Sequence, residues 1–349
     1  MSTKARTMNG VQLIGHGGPE CLEYRSDIPV PALNDTDVLI KISAVGVNNT
    51  DINTRIGWYS KNDGDSDDAS WAGTALNLPL IQGADVCGEV VEVGSKVDAA
   101  RIGERVIIEP CIIEANGKML DSAWYFGSEC NGGFAEYTKV ASRHAFKVDC
   151  QLSDTELASF PCSYSTAENL LTRANVQKGD RVLISGASGG VGSAAIQLAK
   201  ARGAHTIAIT SKEKKQALLD IGADETIDRS SNLIDTLRKN SVDVVIDLVA
   251  GAQWPQFLEV LKPKGRYAVS GAIGGAMVEL DVRTLYLKDL SFFGCTFIEP
   301  EVFPSLVAHI EQGNIRPLVA QTFPLRDISL AQEAFQQKKH IGKIVLKVS

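Results

Sequence analysis

The sequence predicts an α/β protein of two parts, a β-rich unit and a doubly wound parallel sheet, and three observations carry that prediction. Residues 37–48, DVLIKISAVGVN, alternate in side-chain character like a strand, and 83–94, GADVCGEVVEVG, repeat the style. From about residue 155 short apolar runs alternate with helix-like segments. Where the first of these runs meets its helix stands GASGGVG, residues 186–192.

In the first third, Val38, Ile40, Ile42 and Ala44 alternate with Leu39, Lys41, Ser43 and Val45, the pattern of an antiparallel barrel or sandwich. Residues 60–77, SKNDGDSDDASWAGTALN, have no periodicity and read as a long loop. Further on, RVLIS (181–185) is a strand, SAAIQLAKARG a helix ending at glycine, and HTIAIT (205–210) the next strand. The alternation continues with KEKKQALLDIGA, ETID, SNLIDTLRKN, VDVVIDLVA, WPQFLEVLKPKG and RYAVSGA as helix, strand, helix, strand, helix and strand. Such an order implies a parallel sheet with helices on both faces. LSFFGCTFI is a further strand, and FPSLVAHIEQG, QTFPL, SLAQEAFQQ and GKIVLKV return to strand and helix pieces that rejoin the first part. The domain boundaries expected are 1–155 with 305–349 for the β-rich domain and 156–304 for the parallel-sheet one.

The chain has 349 residues, 44% of them hydrophobic, enough for a full core in two domains. Its 35 basic and 42 acidic residues are interspersed and leave a net charge of -7, which argues against a nucleic-acid or anionic-membrane surface and for small-molecule partners. The N-terminus MSTKARTMNGVQ lacks the apolar region of a secretory signal, and the seven cysteines are neither dense nor regularly spaced, so a reducing cytoplasm is expected. The longest uncharged window, Val182–Ala199, is broken by SGASGG and makes a poor membrane span.

GASGGVG follows a strand and opens a helix, the context that gives a glycine pattern meaning. Gly186 permits the tight turn and Gly189 and Gly190 admit a pyrophosphate to the backbone. Ser188 and Val191 lie in the same loop, and Gly192 lets the helix pack on the sheet. The helix N-terminus then faces the phosphates with its positive end. An acid at the end of the next strand would bind a ribose 2′-hydroxyl and favour NAD. HTIAIT ends instead in Thr210, followed by Ser211, Lys212, Lys214 and Lys215, which suit a 2′-phosphate, so NADP(H) is the expected cofactor; the alternative is a solvated helix start. GASGG also fits the G-x-S-x-G turn of hydrolases, with Ser188 as nucleophile, Asp243 or Asp247 as acid and His309 as base. Against that, small residues crowd the helix start and some 180 residues precede the loop.

For metal, the five histidines are scattered and no H-x-x-x-H or C-x-x-C pair occurs. Cys87, Cys111, Cys130 and Cys162 are the sulfur candidates, although free cysteines are more often small buried hydrophobes.

Together these pieces resemble the medium-chain dehydrogenase/reductase superfamily over nearly the whole chain, and within it the zinc-free quinone oxidoreductase-like branch. The resemblance rests on AVGVNNTDINTRIGWY (44–59), GADVCGEVVEVG (83–94), GERVI (103–107), NGGFAEYTKV (131–140), GDRVLISGASGGVGSAAIQLAKARGA (179–204), IGADETID (221–228) and GKIVL (342–346). It implies a GroES-like catalytic domain and a Rossmann domain, with the active site in the cleft between, and a homodimer paired through LSFFGCTF (290–297). Zinc alcohol dehydrogenases carry a cysteine where this chain has Asn48 and a His-Glu pair where it has Ala84 and Asp85, while their later cysteine ligand corresponds to Cys162. Their structural-zinc lobe has four clustered cysteines; here there are Cys111 and Cys130 only, so neither zinc is expected.

The chemistry so implied is hydride transfer from NADPH to a quinone, an enone or a related conjugated carbonyl. By the resemblance Asn48 and Asp51 lie beside the nicotinamide, and Tyr59 borders the substrate, where it donates to an enolate oxygen; a turn-forming Asn pair and a half-buried aromatic are the plainer alternatives. Thr166, Ser270, Gly271 and Lys343 are further cofactor contacts carried over, Lys343 having the alternative of a solvated strand lysine. Residues 60–77 depart from the family pattern and are either a lid carrying Trp71 or Leu76 or a surface excursion. Two other readings stay open: a zinc alcohol dehydrogenase relative using Cys162 and Asp85, and an NADPH-binding sensor without turnover.

Overall fold

The computed structural model describes residues 6–348 apart from 61–69, so most of the acidic stretch of the 60–77 loop lies outside the described residues. The chain forms two compact units. The first takes in the chain up to Cys162, then Pro317–Lys339 and the segment from Lys343; the second is Ser163–Arg316 with His340–Gly342.

The first unit is built on a seven-stranded sheet. Its order runs Val319–Pro324, Lys343–Lys347, Asp37–Gly46, Asp85–Val93, Arg105–Ile108 and Ala145–Lys147, and Tyr137–Ala141 also pairs with Asp37–Gly46. All neighbours are antiparallel except Val319–Pro324 with Lys343–Lys347. In the strand Asp37–Gly46 only Lys41 is exposed, and Leu39 and Val45 are buried along with Val38, Ile40, Ile42 and Ala44. The alternation is thus weaker than the sequence suggests, because this strand has partners on both edges and cover on both faces. Val38, Ile40, Val86, Val90, Ile108, Phe126, Phe134 and Ile344 belong to one core. A separate hairpin joins Cys111–Ala115 to Lys118–Tyr125 through Asn116 and Gly117, whose positive φ values of 54° and 72° suit a tight Asn-Gly turn.

The second unit is a six-stranded sheet, parallel throughout, ordered Glu225–Asp228, His205–Thr210, Arg181–Ile184, Val242–Asp247, Leu261–Val269 and Ser291–Gly294. The helices Gly190–Ala201, Lys215–Asp220, Leu233–Leu237 and Trp254–Val260 fall between successive strands. With a GroES-like β-rich unit and a Rossmann sheet, the α/β class expected from the sequence is the one observed. One helix is shorter than its apolar pattern: WPQFLEVLKPKG is helical only to Val260, since Lys262-Pro263 cannot continue the ladder and Lys264 takes φ 64°. Leu261 already pairs with Val242, before a register shift. None of the helices among the described residues is long and apolar enough to cross a membrane.

Candidate active site and cofactor loop

In the first unit the strand Asp37–Gly46 delivers the chain to Asn48, which caps the short helix Asn49–Arg55. The backbone N–H of Asn48 donates to Asp51 Oδ2 at 2.7 Å, half of the exchange that fixes such a helix start. Gly46 lies opposite Asp85, the first residue of the strand Asp85–Val93, and a Cβ at Gly46 would come within 2.7 Å of Asp85 Oδ2. Only glycine leaves room for that carboxylate.

Asp85 is wholly buried and joins three groups. Its Oδ2 accepts from Asn48 Nδ2 at 2.9 Å and pairs with Lys343 Nζ at 2.6 Å, while Oδ1 accepts from the backbone N–H of Cys162. Lys343, only 2% exposed, opens the strand Lys343–Lys347, and its ammonium also donates to Asn48 Oδ1. The Tyr125 hydroxyl donates to Cys162 Sγ at 2.7 Å, and Trp71 lies against Tyr125 with ring centroids 5.2 Å apart. Ala84, Tyr125, Cys162 and Trp71 thus make an apolar wall beside a buried ion pair.

The titrating groups feel this burial. Desolvation raises the Asp51 carboxyl to about 7; the Asn48 N–H and the Lys343 charge oppose the rise and the Asp85 charge adds to it. Burial pushes the Cys162 thiol up to about 12, with Asp85 acting in the same sense. The Tyr125 phenol is pushed well up by burial, then by the charge of Cys162. Tyr59, in the turn after the helix, is half-buried; burial raises its phenol, a hydrogen bond with Asn53 opposes this, and the charges of Cys162 and Asp51 reinforce it. Gln82 donates to the carbonyl of Asp51 at 2.8 Å while its buried Oε1 meets no donor among the described residues.

The structure therefore gathers Asn48, Asp51 and Lys343, expected as separate contacts, around Asp85, and puts Tyr59 within electrostatic reach of them. Tyr125 and Gln82 were missed by sequence reasoning. A tyrosine closing the stretch CIIEANGKMLDSAWY carries no local signal of function. No group of three or more His, Cys, Asp or Glu side chains suited to a metal ion occurs among the described residues.

Of the 60–77 loop, Ser70 and its neighbours form a turn in which Ser70 Oγ accepts from Thr74 N–H. The backbone N–H groups of Trp71 and Ala72 donate to Ser128 Oγ and Glu129 Oε1, so Trp71 is anchored where it meets Tyr125.

In the second unit the strand Arg181–Ile184 turns through Gly186, at φ 57°, into the helix Gly190–Ala201. A Cβ on Gly192 would lie 2.4 Å from the carbonyl oxygen of Gly186 and 2.6 Å from Ala187 Cα, so the close packing of helix on turn requires glycine there. Gly189 caps the helix without a side chain, leaving the first-turn N–H groups of Gly190, Val191 and Gly192 without intrahelical acceptors, next to Ser188.

At the end of the strand His205–Thr210, Thr210 Oγ1 is buried with no hydrogen-bond partner among the described residues. Ser211 follows, then Lys212, Lys214 and Lys215; Lys214 donates to the carbonyl of His340 at 2.8 Å, and burial and nearby Arg229 both push its ammonium down. Arg229, whose backbone N–H donates to the Thr210 carbonyl, was overlooked although it directly follows the strand ETID.

Ser270 N–H donates to the carbonyl of Asp247, and a Cβ on Gly271 would meet the Leu248 carbonyl at 2.8 Å, so these two strand ends pack backbone to backbone. Thr166 lies on the helix Pro161–Arg173. Asp247 accepts from Ser185 Oγ, from Tyr267 Oη at 2.6 Å and from the N–H groups of Val249 and Ala250. Asp243 is taken by Lys262 and the Arg181 N–H, and His309 by Asn314. Neither acid meets His309, so the hydrolase arrangement is not assembled.

Two family models match the chain, "Alcohol dehydrogenase GroES-like domain" over residues 34–150 and "Zinc-binding dehydrogenase" over 190–312. Human quinone oxidoreductase is 31% identical over 95% of each chain. An acryloyl-coenzyme A reductase of Metallosphaera sedula is 29% identical, covering 97% of this chain and 99% of its own. The solved structure of a candidate alcohol dehydrogenase from Sinorhizobium meliloti superposes with a TM-score of 0.90 at 42% identity, covering 99% of this chain and 98% of the other.

Proposed function

Because this chain belongs to the medium-chain dehydrogenase/reductase superfamily of oxidoreductases, whose members bind nicotinamide cofactors, we propose that it is an NADPH-dependent reductase of quinones, enones or related conjugated carbonyls. The observation that carries this reading is the Lys343 ammonium buried against Asp85 and Asn48. A cation is already covalently present among the residues that correspond to zinc ligands, so the zinc named in one family description does not fit here. Without a Lewis acid, an unactivated aldehyde is a poor acceptor, whereas a conjugated carbonyl takes hydride at carbon and passes the charge to its oxygen.

The cofactor supplies the hydride. Gly186, Ser188, Gly189, Gly190, Val191 and Gly192 would hold its pyrophosphate, and Thr166, Ser270, Gly271 and Lys343 are proposed as further contacts. Thr210 Oγ1, a buried hydroxyl with no partner among the described residues, fits a ligand at that strand end. Ser211, Lys214, Lys215 and Arg229, with no acid closing the strand, favour a 2′-phosphate. On the substrate side, Asn48 and Asp51 line the reacting centre, Tyr59 donates its phenolic proton to the developing enolate, and Trp71 with Tyr125 offers a flat apolar wall. The names of relatives that reduce a quinone or an acryloyl thioester lie in this class of conjugated acceptor.

Steady-state oxidation of NADPH and NADH against quinones, enones, enoyl thioesters and saturated aldehydes tests the reading. Turnover with conjugated acceptors and preference for NADPH are expected. Turnover confined to alcohols and saturated aldehydes would overturn it, and tight NADPH binding with no acceptor reduced would favour a sensor.

A further inference from the structure

We infer that Lys343 is a tethered cation that keeps divalent metal out of the Asn48–Asp85–Cys162 centre, and that removing its ammonium converts this centre into a site for a soft divalent cation. This extends the metal-free reading of the reaction and rests on it, but not on which acceptor is reduced.

The geometry supplies the reason. Asp85 bridges the Lys343 ammonium on one oxygen and the start of the Cys162 helix on the other. Asn48 presents its amide oxygen to the same ammonium and its amide nitrogen to the same carboxylate. Lys343 therefore occupies the point on which a carboxylate and an amide oxygen converge, with the Cys162 thiol on the residue whose N–H the carboxylate grips. One carboxylate, one thiol and one amide oxygen are three donors of the kinds that bind zinc or cobalt, the fourth place falling to water.

Charge accounts for the exclusion. With Cys162 protonated, the ammonium and Asp85 sum to zero inside a region closed to solvent. A divalent ion added to this set would leave surplus positive charge next to a buried ammonium. Take the ammonium away, and Asp85 is left as an uncompensated buried anion. A divalent cation bound to Asp85 and to the Cys162 thiolate returns the sum to zero, the thiol proton passing to buffer. The donors are thus present in the wild-type chain and blocked by a residue far away in sequence.

The test uses cobalt(II) chloride with full-length wild type, Lys343→Met, Lys343→Arg and the double variant Lys343→Met/Cys162→Ser, read by equilibrium dialysis and visible absorption. Wild type and Lys343→Arg are expected to bind no stoichiometric cobalt. Lys343→Met should take up about one cobalt per chain with a thiolate-to-cobalt band. The double variant should lose that band. The inference is overturned if folded Lys343→Met binds cobalt no better than wild type, or if wild type itself acquires the band. Should Lys343→Met not fold, Lys343→Gln takes its place, and the wild-type titration decides by itself against the inference if cobalt enters. Metal uptake is read without turnover, so failure of wild type to reduce any conjugated carbonyl would sink the functional reading while leaving the cobalt result distinct.

Discussion

Asp51 is a carboxyl that the fold would rather keep protonated. Its pKa rises from 3.8 to about 7 because burial outweighs the N–H of Asn48 and the charge of Lys343. A group with a raised native pKa binds its proton more tightly in the folded state. Its stabilising contribution is complete below the unfolded value and is lost as pH climbs through about 7. Wild type should therefore lose stability relative to Asp51→Asn between those values, by at most about 4 kcal/mol. Urea unfolding of both proteins across that range is the check, and parallel curves would show that folding does not raise the Asp51 pKa. Cys162 and Tyr125 add the complementary lesson: with the thiol raised to about 12, Cys162 is a neutral neighbour near pH 7 rather than a thiolate nucleophile.

At the level of elements, the strand–turn–helix around GASGGVG was legible because every requirement is local. The turn needs a positive φ at Gly186, the helix needs no side chain at Gly192, and both residues lie in one seven-residue stretch. Gly192→Ala would place a methyl 2.4 Å from the Gly186 carbonyl and push the helix off the turn. A loss of about 1–3 kcal/mol is expected, together with weaker NADPH binding; thermal melts and fluorescence titration measure the two, and wild-type affinity in the variant would remove this loop from the cofactor site. The strand-end turn after Val242–Asp247 was not legible. Asp247 reads in sequence as one more acid, yet Ser185, Tyr267 and two backbone N–H groups converge on it, and Trp254 Nε1 in turn donates to Tyr267 at 3.0 Å. Those partners come from four separate segments, so no spacing rule announces them.

For the molecule as a whole, the last strand of the parallel sheet, Ser291–Gly294, pairs on one side only among the described residues. The segment that leads into it carries exposed apolar side chains, Met277 at 92% and Leu287 at 72%, with Val282 and Tyr286, and the strand itself carries Phe292. An unpaired edge, together with these exposed apolar side chains, is a liability in a monomer, and we propose that a second copy of this chain covers the edge as a homodimer. Sedimentation velocity should give twice the chain mass for wild type and the single mass for Leu287→Glu, with unchanged far-ultraviolet circular dichroism. A wild-type monomer at micromolar concentration would rule the dimer out.

The sequence by itself determined the α/β class, the glycine-rich strand–turn–helix and membership in a family, because periodicity, glycine placement and motif order are properties of contiguous stretches. Asn48, Asp85, Cys162 and Lys343 were each visible there as single positions. Only the tertiary structure decided what they do together. Lys343 reaches Asn48 across 295 residues, through the pairing of the terminal strand with Asp37–Gly46, and so delivers its charge to Asp85. Such a pairing is set by the burial and register of a whole sheet, and a buried charge takes its meaning from the partners that sheet brings to it.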